Sequence, residues 1–143
     1  MIGCGMGMLI KVTAEPRYLR VISSGHFTLA EAERTFLQVI DAVALHKTDK
    51  VLFDGRDVIG EPTIIQRFYY GDFAARIVAR YAAESGNPWP QFAYVLEEPV
   101  LDPNRFGEKV ARNRGMNMKV FDNLEEAFTW LELEFIESDE GDT

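Results

Sequence analysis

The chain has 143 residues, 47% of them hydrophobic and 12% aromatic, which is the size and composition of one folded domain. It carries 15 Lys and Arg against 23 Asp and Glu, a formal net charge of −8. This acidity excludes a general nucleic-acid binder, because such proteins neutralise phosphates with an excess of basic residues. A single cysteine, Cys4, excludes intrachain disulfides and cysteine-rich zinc sites, and two histidines are too few for a multi-histidine centre. We therefore predict no metal and no cofactor.

The two ends of the chain differ in composition from its body. Residues 1–7 are rich in Gly and Met and lack the basic start and long apolar stretch of a signal peptide, so we predict a flexible leader. Residues 8–135 are predicted to form one domain, and residues 136–143 a disordered acidic tail. The last twelve residues hold six acids and no base, leaving 17 acids and 15 bases elsewhere. No apolar run approaches the ~20 residues of a membrane span, and with the lone cysteine this predicts a cytoplasmic protein.

The first third of the chain predicts a hairpin followed by a helix. Residues 8–14 and 17–23 alternate in the manner of two antiparallel strands. A helix is predicted over residues 28–46, opened by a capping box in which Thr28 and Glu31 satisfy each other's backbone amides.

The middle of the chain predicts a short strand and a long helix. Residues 51–54 form an apolar strand that ends in a carboxylate, and residues 55–60 are predicted as a loop. The second helix begins after Thr63. Its inner face is predicted from apolar residues spaced four apart: Ile65, Tyr69, Phe73, Ile77 and Tyr81. Gly71 and Asp72 interrupt this apolar ladder.

The last third completes an alternating pattern. A buried strand is predicted over 91–96, a helix from Asp102 to a terminating Gly115, and a strand over 118–121. Asn123 caps the last helix, whose inner stripe is Leu124, Ala127, Phe128, Leu131 and Phe135. The order β-β-α-β-α-β-α-β-α predicts an α/β fold: a mostly parallel five-stranded sheet with an antiparallel edge strand and packed helices.

Three segments carry a resemblance to a known family: FTLAEA at 27–32, VLFDGR at 51–56 and VFDNLEEAFTWL at 120–131. They resemble the SpoIIAA-like (STAS/SEC14-type) family and, more distantly, bacterial anti-sigma-factor antagonists. The resemblance implies a non-catalytic binding or regulatory module that acts through protein–protein interaction. An alternative that it also implies is a carrier of a small apolar ligand or lipid in a SEC14-like cleft. A small α/β enzyme is the third reading.

The resemblance also implies a phosphorylation switch. In the antagonists, a serine in an Asp-Ser-Gly turn before the second helix is phosphorylated by a partner kinase. Glu61 and Thr63 stand at the matching positions, although serine and glycine are not kept and Pro62 intrudes. The residues themselves also allow a capping box, because Gln66 follows Thr63 by three positions.

Asp54, Arg56 and Asp57 form a second candidate constellation. They are predicted to lie just past the carboxyl end of a strand, where open α/β sheets place their ligands. The alternative is structural: Asp54 caps a turn, and Arg56 pairs with Asp57 or Glu61.

Arg105, Lys109 and Arg112 share one face of the third predicted helix. They can form an anion patch for a phosphate group, an acidic partner or the chain's own acidic tail. The alternative is a solvated helix face.

The second helix carries more aromatic residues than one core-facing stripe needs. Phe68, Tyr69 and Tyr70 follow one another, so at least one ring points outward, at a homodimer face or into an apolar ligand pocket. The alternative is a wide core helix with Tyr70 as the exposed ring. No nucleophile motif or phosphate loop is present, so no catalytic residue is predicted. The predicted binding surface comprises Asp54, Arg56, Glu61, Thr63, Arg67, Phe68, Tyr70 and Phe73.

Overall fold

The computed structural model describes residues 7–135. Most of the predicted leader, with Cys4, and the predicted acidic tail lie outside the described residues. The elements follow the predicted order: β1 (Leu9–Ala14), β2 (Leu19–His26), α1 (Leu29–His46), β3 (Lys50–Ile59), α2 (Ile64–Ser85), β4 (Gln91–Val95), α3 (Phe106–Asn113), β5 (Asn117–Phe121) and α4 (Leu124–Trp130).

The five strands form one sheet in the order β1-β2-β3-β4-β5. The pair β1 and β2 is antiparallel, and the pairs from β2 to β5 are parallel, as predicted. Parallel strands laid side by side in chain order, with right-handed crossovers, place the connecting helices on one face. Accordingly, Phe36 of α1 and Val78 of α2 share an apolar cluster with Phe53. Helix α4 covers the opposite face, where Phe128 packs against Leu52.

Strand β3 is much longer than predicted, because it continues through residues 55–59. The register against β2 explains this: Ile22 faces Asp54 and Ser24 faces Asp57, so β3 has one extra residue in a bulge. The predicted loop over 55–60 was wrong. A sequence rich in Gly and Asp is typical of both a loop and a bulged strand, and pairing with β2 decides between them.

Helix α1 begins as predicted, but only one half of its predicted capping box is present. The hydroxyl of Thr28 accepts a hydrogen bond from the amide of Glu31, at 3.2 Å. The Glu31 carboxylate does not return to the cap; it pairs with Arg34, with 2.6 Å between Oε1 and Nη2.

Helix α2 runs without interruption from Ile64 to Ser85, as the prediction of one long helix requires. Its predicted inner ladder was wrong in part, since Ile65 and Tyr69 are exposed. The buried residues of α2 are small: Gly71, Ala74, Ala75 and Val78. A Cβ at Gly71 would lie 2.7 Å from the carbonyl oxygen of Gly107, so the small side chains let α2 and α3 touch through their backbones.

The last two helices are shorter than predicted. Helix α3 begins at Phe106, because the Asp102 carboxylate turns the preceding chain by accepting from the amides of Asn104 (3.0 Å) and Phe106 (2.9 Å). Gly115 follows α3 with φ +96°, the left-handed conformation predicted for it. Helix α4 is capped by Asn123, and its stripe from Leu124 to Leu131 is buried.

Candidate functional site

The first turns of α2 present large apolar side chains to solvent. We call Glu61, Thr63, Ile64, Ile65 and Tyr69 the α2-start surface. Ile64 is 69% exposed, Ile65 61% and Tyr69 50%. Ile65 and Tyr69 lie one helical turn apart and therefore share a face. The hydrophobic core of the domain does not use these side chains, so they are available to a partner.

Thr63 fixes the geometry of this surface. Its hydroxyl accepts from the amide of Gln66 at 3.1 Å, and the Gln66 side-chain oxygen accepts from the amide of Thr63 at 2.9 Å. This reciprocal capping box was predicted from the spacing of the two residues and is confirmed. Because Thr63 itself is exposed, its hydroxyl is also accessible to a modifying enzyme.

Asp54 and Arg56 lie inside β3 and not beyond its end, so the prediction of a strand-end site was wrong. The Asp54 carboxylate is buried and holds the Arg56 guanidinium in a bidentate pair, with 2.9 Å from Nε to Oδ1 and 2.8 Å from Nη2 to Oδ2. Asp54 Oδ1 also accepts from the backbone amide of Arg56, at 3.2 Å. The Asp54 carboxylate therefore stabilises the bulge, as the predicted turn-capping role requires. Arg56 pairs with Asp54, whereas the prediction named Asp57 or Glu61 as its partner.

The structure does not bring the predicted binding residues together. Asp54 lies two positions from Leu52 and shares its side of β3, the face covered by α4. Helix α2 packs on the opposite face of the sheet. Among residues 7–135, no group of three or more His, Cys, Asp or Glu side chains is placed to hold a metal ion.

Two predicted binding residues of α2 tie the helix to its neighbours. The guanidinium of Arg67 donates to the carbonyl oxygens of Val100 (2.8 Å) and Pro99 (2.9 Å), in the loop after β4. The ring of Phe68 lies under the guanidinium of Arg114, 5.4 Å from its centroid. A third predicted residue, Phe73, is half-buried against the hydrophobic core.

Tyr70 points into the domain, so the alternative in which Tyr70 is the exposed ring is wrong; the exposed ring is Tyr69. The hydroxyls of Tyr70 and Tyr94 are hydrogen-bonded at 2.8 Å. The Tyr70 ring also packs edge-on against Phe36, with 6.1 Å between centroids. Burial raises the pKa of both tyrosines well above the ordinary value, so both hydroxyls keep their protons. Sequence reasoning missed Tyr94, although a Tyr in a buried strand calls for a polar partner.

A cavity of about 120 Å³ lies beside this tyrosine pair. Its walls come from α1, α2, α3 and the face of the sheet opposite α4, and most of them are apolar. An apolar ligand pocket at the aromatic residues of α2 was one of the alternatives that the sequence left open, beside a homodimer face and a wide core helix. The lining residues from β4 and the loop after it, Leu96 and Val100 among them, carry no local signal that could have identified them.

Two residues of the predicted anion patch bind the backbone of β5, the last strand in the sheet order. Arg105 donates to the carbonyl oxygen of Val120, and Arg112 donates to that of Met118 at 2.9 Å. Glu108 completes the set by accepting from the amide of Val120, at 3.1 Å. Lys109, the third predicted residue, is exposed.

The fold is that of SpoIIAA-like (STAS) proteins, as the sequence resemblance implied. The structure is similar to that of an anti-sigma factor antagonist from Mycobacterium paratuberculosis, with a TM-score of 0.57 and 16% sequence identity over 88% of this chain and 95% of that one. It is also similar to an uncharacterised DUF3478 protein with a SpoIIAA-like fold from Shewanella loihica, with a TM-score of 0.47 and 18% identity over 87% and 93% of the two chains. Comparison of the sequence with protein-family models and with curated proteins gives no match. Between residues 7 and 135, no helix is long and apolar enough to cross a membrane.

Proposed function

We propose that this chain is a non-catalytic regulatory module that binds a protein partner through the α2-start surface. The observation that carries the proposal is the exposure of Ile64, Ile65 and Tyr69 on the first two turns of one helix. Tyrosine is enriched in the cores of protein interfaces, and clusters of exposed apolar side chains mark binding sites. The capping box of Thr63 and Gln66 fixes the start of the helix, so the surface is preorganised.

The likeness to an anti-sigma factor antagonist supports a regulatory role. That protein, an anti-sigma factor antagonist, shares the fold over 88% of this chain. We extend the analogy to the position of Thr63, whose exposed hydroxyl stands at the start of α2. A phosphate there would add negative charge beside Ile64 and Ile65 and would remove the present cap, so it would weaken an apolar contact.

The state of the polar candidates supports a non-catalytic role. Asp54 is engaged with Arg56, and Arg67 is engaged with two carbonyl oxygens. A general acid or base must reach a substrate, whereas these groups are directed at the protein itself. A hydrolase or transferase activity that the Asp54→Ala variant abolishes would overturn this part of the proposal.

Site-directed photo-crosslinking tests the proposed surface. A photoreactive phenylalanine analogue is placed at Tyr69, and in a control at Leu45, which is 76% exposed at the far end of α1. We expect a discrete protein adduct in cells from the Tyr69 variant and none from the Leu45 variant. Equal adducts at both positions would overturn the assignment of the surface.

The protein captured in this way is then purified and its affinity is measured by calorimetry. Ile65→Ser is expected to weaken binding by about tenfold or more, because large side chains at the centre of an interface carry most of its energy. Leu45→Ser, a comparable loss of exposed apolar area elsewhere, should leave the affinity unchanged. If the captured partner is a second copy of this chain, sedimentation will show a dimer that Ile65→Ser dissociates, and the proposed regulatory partner is then wrong.

A further inference from the structure

The cavity beside Tyr70 and Tyr94 has the dimensions of a small-molecule site. Its volume is about 120 Å³, and its apolar walls include Phe53, Leu96, Val100 and Met118. An engineered apolar cavity of about 150 Å³ binds benzene, so a volume of this order suits a single ring. Pockets for drug-sized ligands begin at about 300 Å³, so a single ring fits this cavity better than a long lipid chain does.

The two tyrosine hydroxyls place a hydrogen-bonding group at the wall of this apolar cavity. Each hydroxyl has one hydrogen to donate, and the bond between Tyr70 and Tyr94 uses only one of the two. Among residues 7–135, neither hydroxyl makes a further hydrogen bond, so the second hydrogen is left for another acceptor. A ligand oxygen placed beside the pair would accept it and gain one hydrogen bond.

We propose that this cavity binds a neutral molecule no larger than a single six-membered ring that carries one oxygen acceptor, such as a phenol or a small cyclic ketone. The ring fills the apolar volume, and the oxygen accepts the unused tyrosine hydrogen. This site is separate from the α2-start surface, so the two proposals stand or fall independently.

The charges around the cavity favour a neutral ligand. Arg67 and Arg105 reach its lining, but the first is held by the carbonyl oxygens of Pro99 and Val100 and the second pairs with Glu108 at 3.4 Å. Asp102 is likewise engaged, by two backbone amides. An anionic ligand would lose its hydration without gaining a free cation. The raised pKa values of the tyrosines agree with this, since both hydroxyls remain neutral donors.

Titration with phenol and with benzene, followed by methyl NMR, tests the proposal. We expect both probes to shift the methyl signals of Val58, Val100 and Met118, which line the cavity. Phenol should bind about five- to tenfold more tightly than benzene, the equivalent of one neutral hydrogen bond. In the Tyr70→Phe/Tyr94→Phe variant the rings remain and the hydroxyls are gone, so this preference should disappear while benzene still binds.

A cavity-filling variant provides an independent test that does not alter the tyrosines. Ala74→Val adds two methyl groups at the cavity wall and is expected to weaken both probes, whereas Ala44→Val, at an exposed site of α1, should not. A cavity that accommodates only water will bind neither probe. That result, shifts confined to other methyl groups, or an unchanged phenol preference in the double tyrosine variant would each overturn the proposal.

Discussion

Thr63 caps α2 and is also part of the α2-start surface. Its side chain and its backbone each take part in one hydrogen bond with Gln66. Without the hydroxyl, the amide of Gln66 loses its partner at the start of a 22-residue helix.

We expect Thr63→Ala to lower the free energy of unfolding by about 1 kcal/mol, the usual cost of an N-cap threonine. Thr63→Ser keeps the hydroxyl and should stay within a few tenths of the wild type. Urea unfolding followed by circular dichroism measures both. Equal stability of the alanine and serine variants would contradict the capping role.

Single residues were predictable from the sequence where their partners are close in the chain. Thr63 and Gln66 are three positions apart, so their spacing was enough. Closeness in the chain was not enough for Arg56, whose partner Asp54 is only two positions away, because the bulge that brings them together arises from pairing with β2. The contact between Tyr70 and Tyr94 spans 24 positions, and no local pattern indicates it.

At the scale of elements, the contact between α2 and α3 depends on two glycines. A Cβ on Gly71 would lie 2.7 Å from the carbonyl oxygen of Gly107, which is backbone and cannot rotate away. A Cβ on Gly107 would meet the carbonyl oxygen of Arg67 at 3.3 Å, a milder conflict.

Gly71→Ala is expected to destabilise the domain by about 1–3 kcal/mol, the usual cost of overpacking. In an exposed helix the same change stabilises by up to about 1 kcal/mol, so the sign of the effect is informative. Gly107→Ala should cost less than Gly71→Ala. Thermal unfolding of the wild type and the two variants measures these differences in stability. A stabilised Gly71→Ala variant would show that the helices do not touch there.

Helix α3 depends on the ionised form of Asp102. Burial alone would raise the pKa of Asp102, but hydrogen bonds from the amides of Phe106 and Asn104 outweigh it and lower the pKa. A carboxyl whose folded-state pKa lies below its unfolded value stabilises the fold above the unfolded value. That contribution is lost as the pH falls through the folded pKa.

Asp102→Ala should therefore be less stable than the wild type by about 1 kcal/mol at neutral pH. The difference should shrink as the pH falls below the ordinary range of an aspartate. Chemical unfolding at a series of pH values measures it, with Asp57→Ala, an exposed residue of β3, as the control. A difference that is constant down to pH 2 would contradict the assignment.

The face of α2 could not be predicted from hydrophobic periodicity. The regular ladder through Ile65 and Tyr69 is the stronger pattern, yet the buried stripe consists of Gly and Ala. Periodicity finds large apolar side chains, whereas close helix contact requires small ones. The hydrophobic pattern does not indicate how closely α2 and α3 approach each other.

For the molecule as a whole, the sequence predicted the order of elements and the direction of the strands. Alternating strands and helices leave little choice, because parallel neighbours need crossovers of one hand. The hydrogen bonds that cover the edge strand β5 were not predictable from the sequence. They form because Arg105, Glu108 and Arg112 reach the outward-facing backbone groups of β5.

The edge contacts predict a change in self-association. Arg105→Ala/Arg112→Ala frees two carbonyl groups on β5, and we expect slow aggregation, because unpaired edges recruit other strands. Lys109→Ala/Arg80→Ala removes the same charge from exposed sites and should remain monodisperse. Light scattering over several days compares the two. Equal aggregation of both variants would assign the effect to net charge.

The closed edge of β5 also limits how large an assembly this sheet can build. Open-ended growth by joining sheets edge to edge needs two free edge strands on every molecule, and the side chains of Arg105 and Arg112 cover one of them here. Only β1 lies at the other end of the strand order. Growth by joining sheets must therefore stop at a pair of molecules, related by a two-fold axis between their β1 strands.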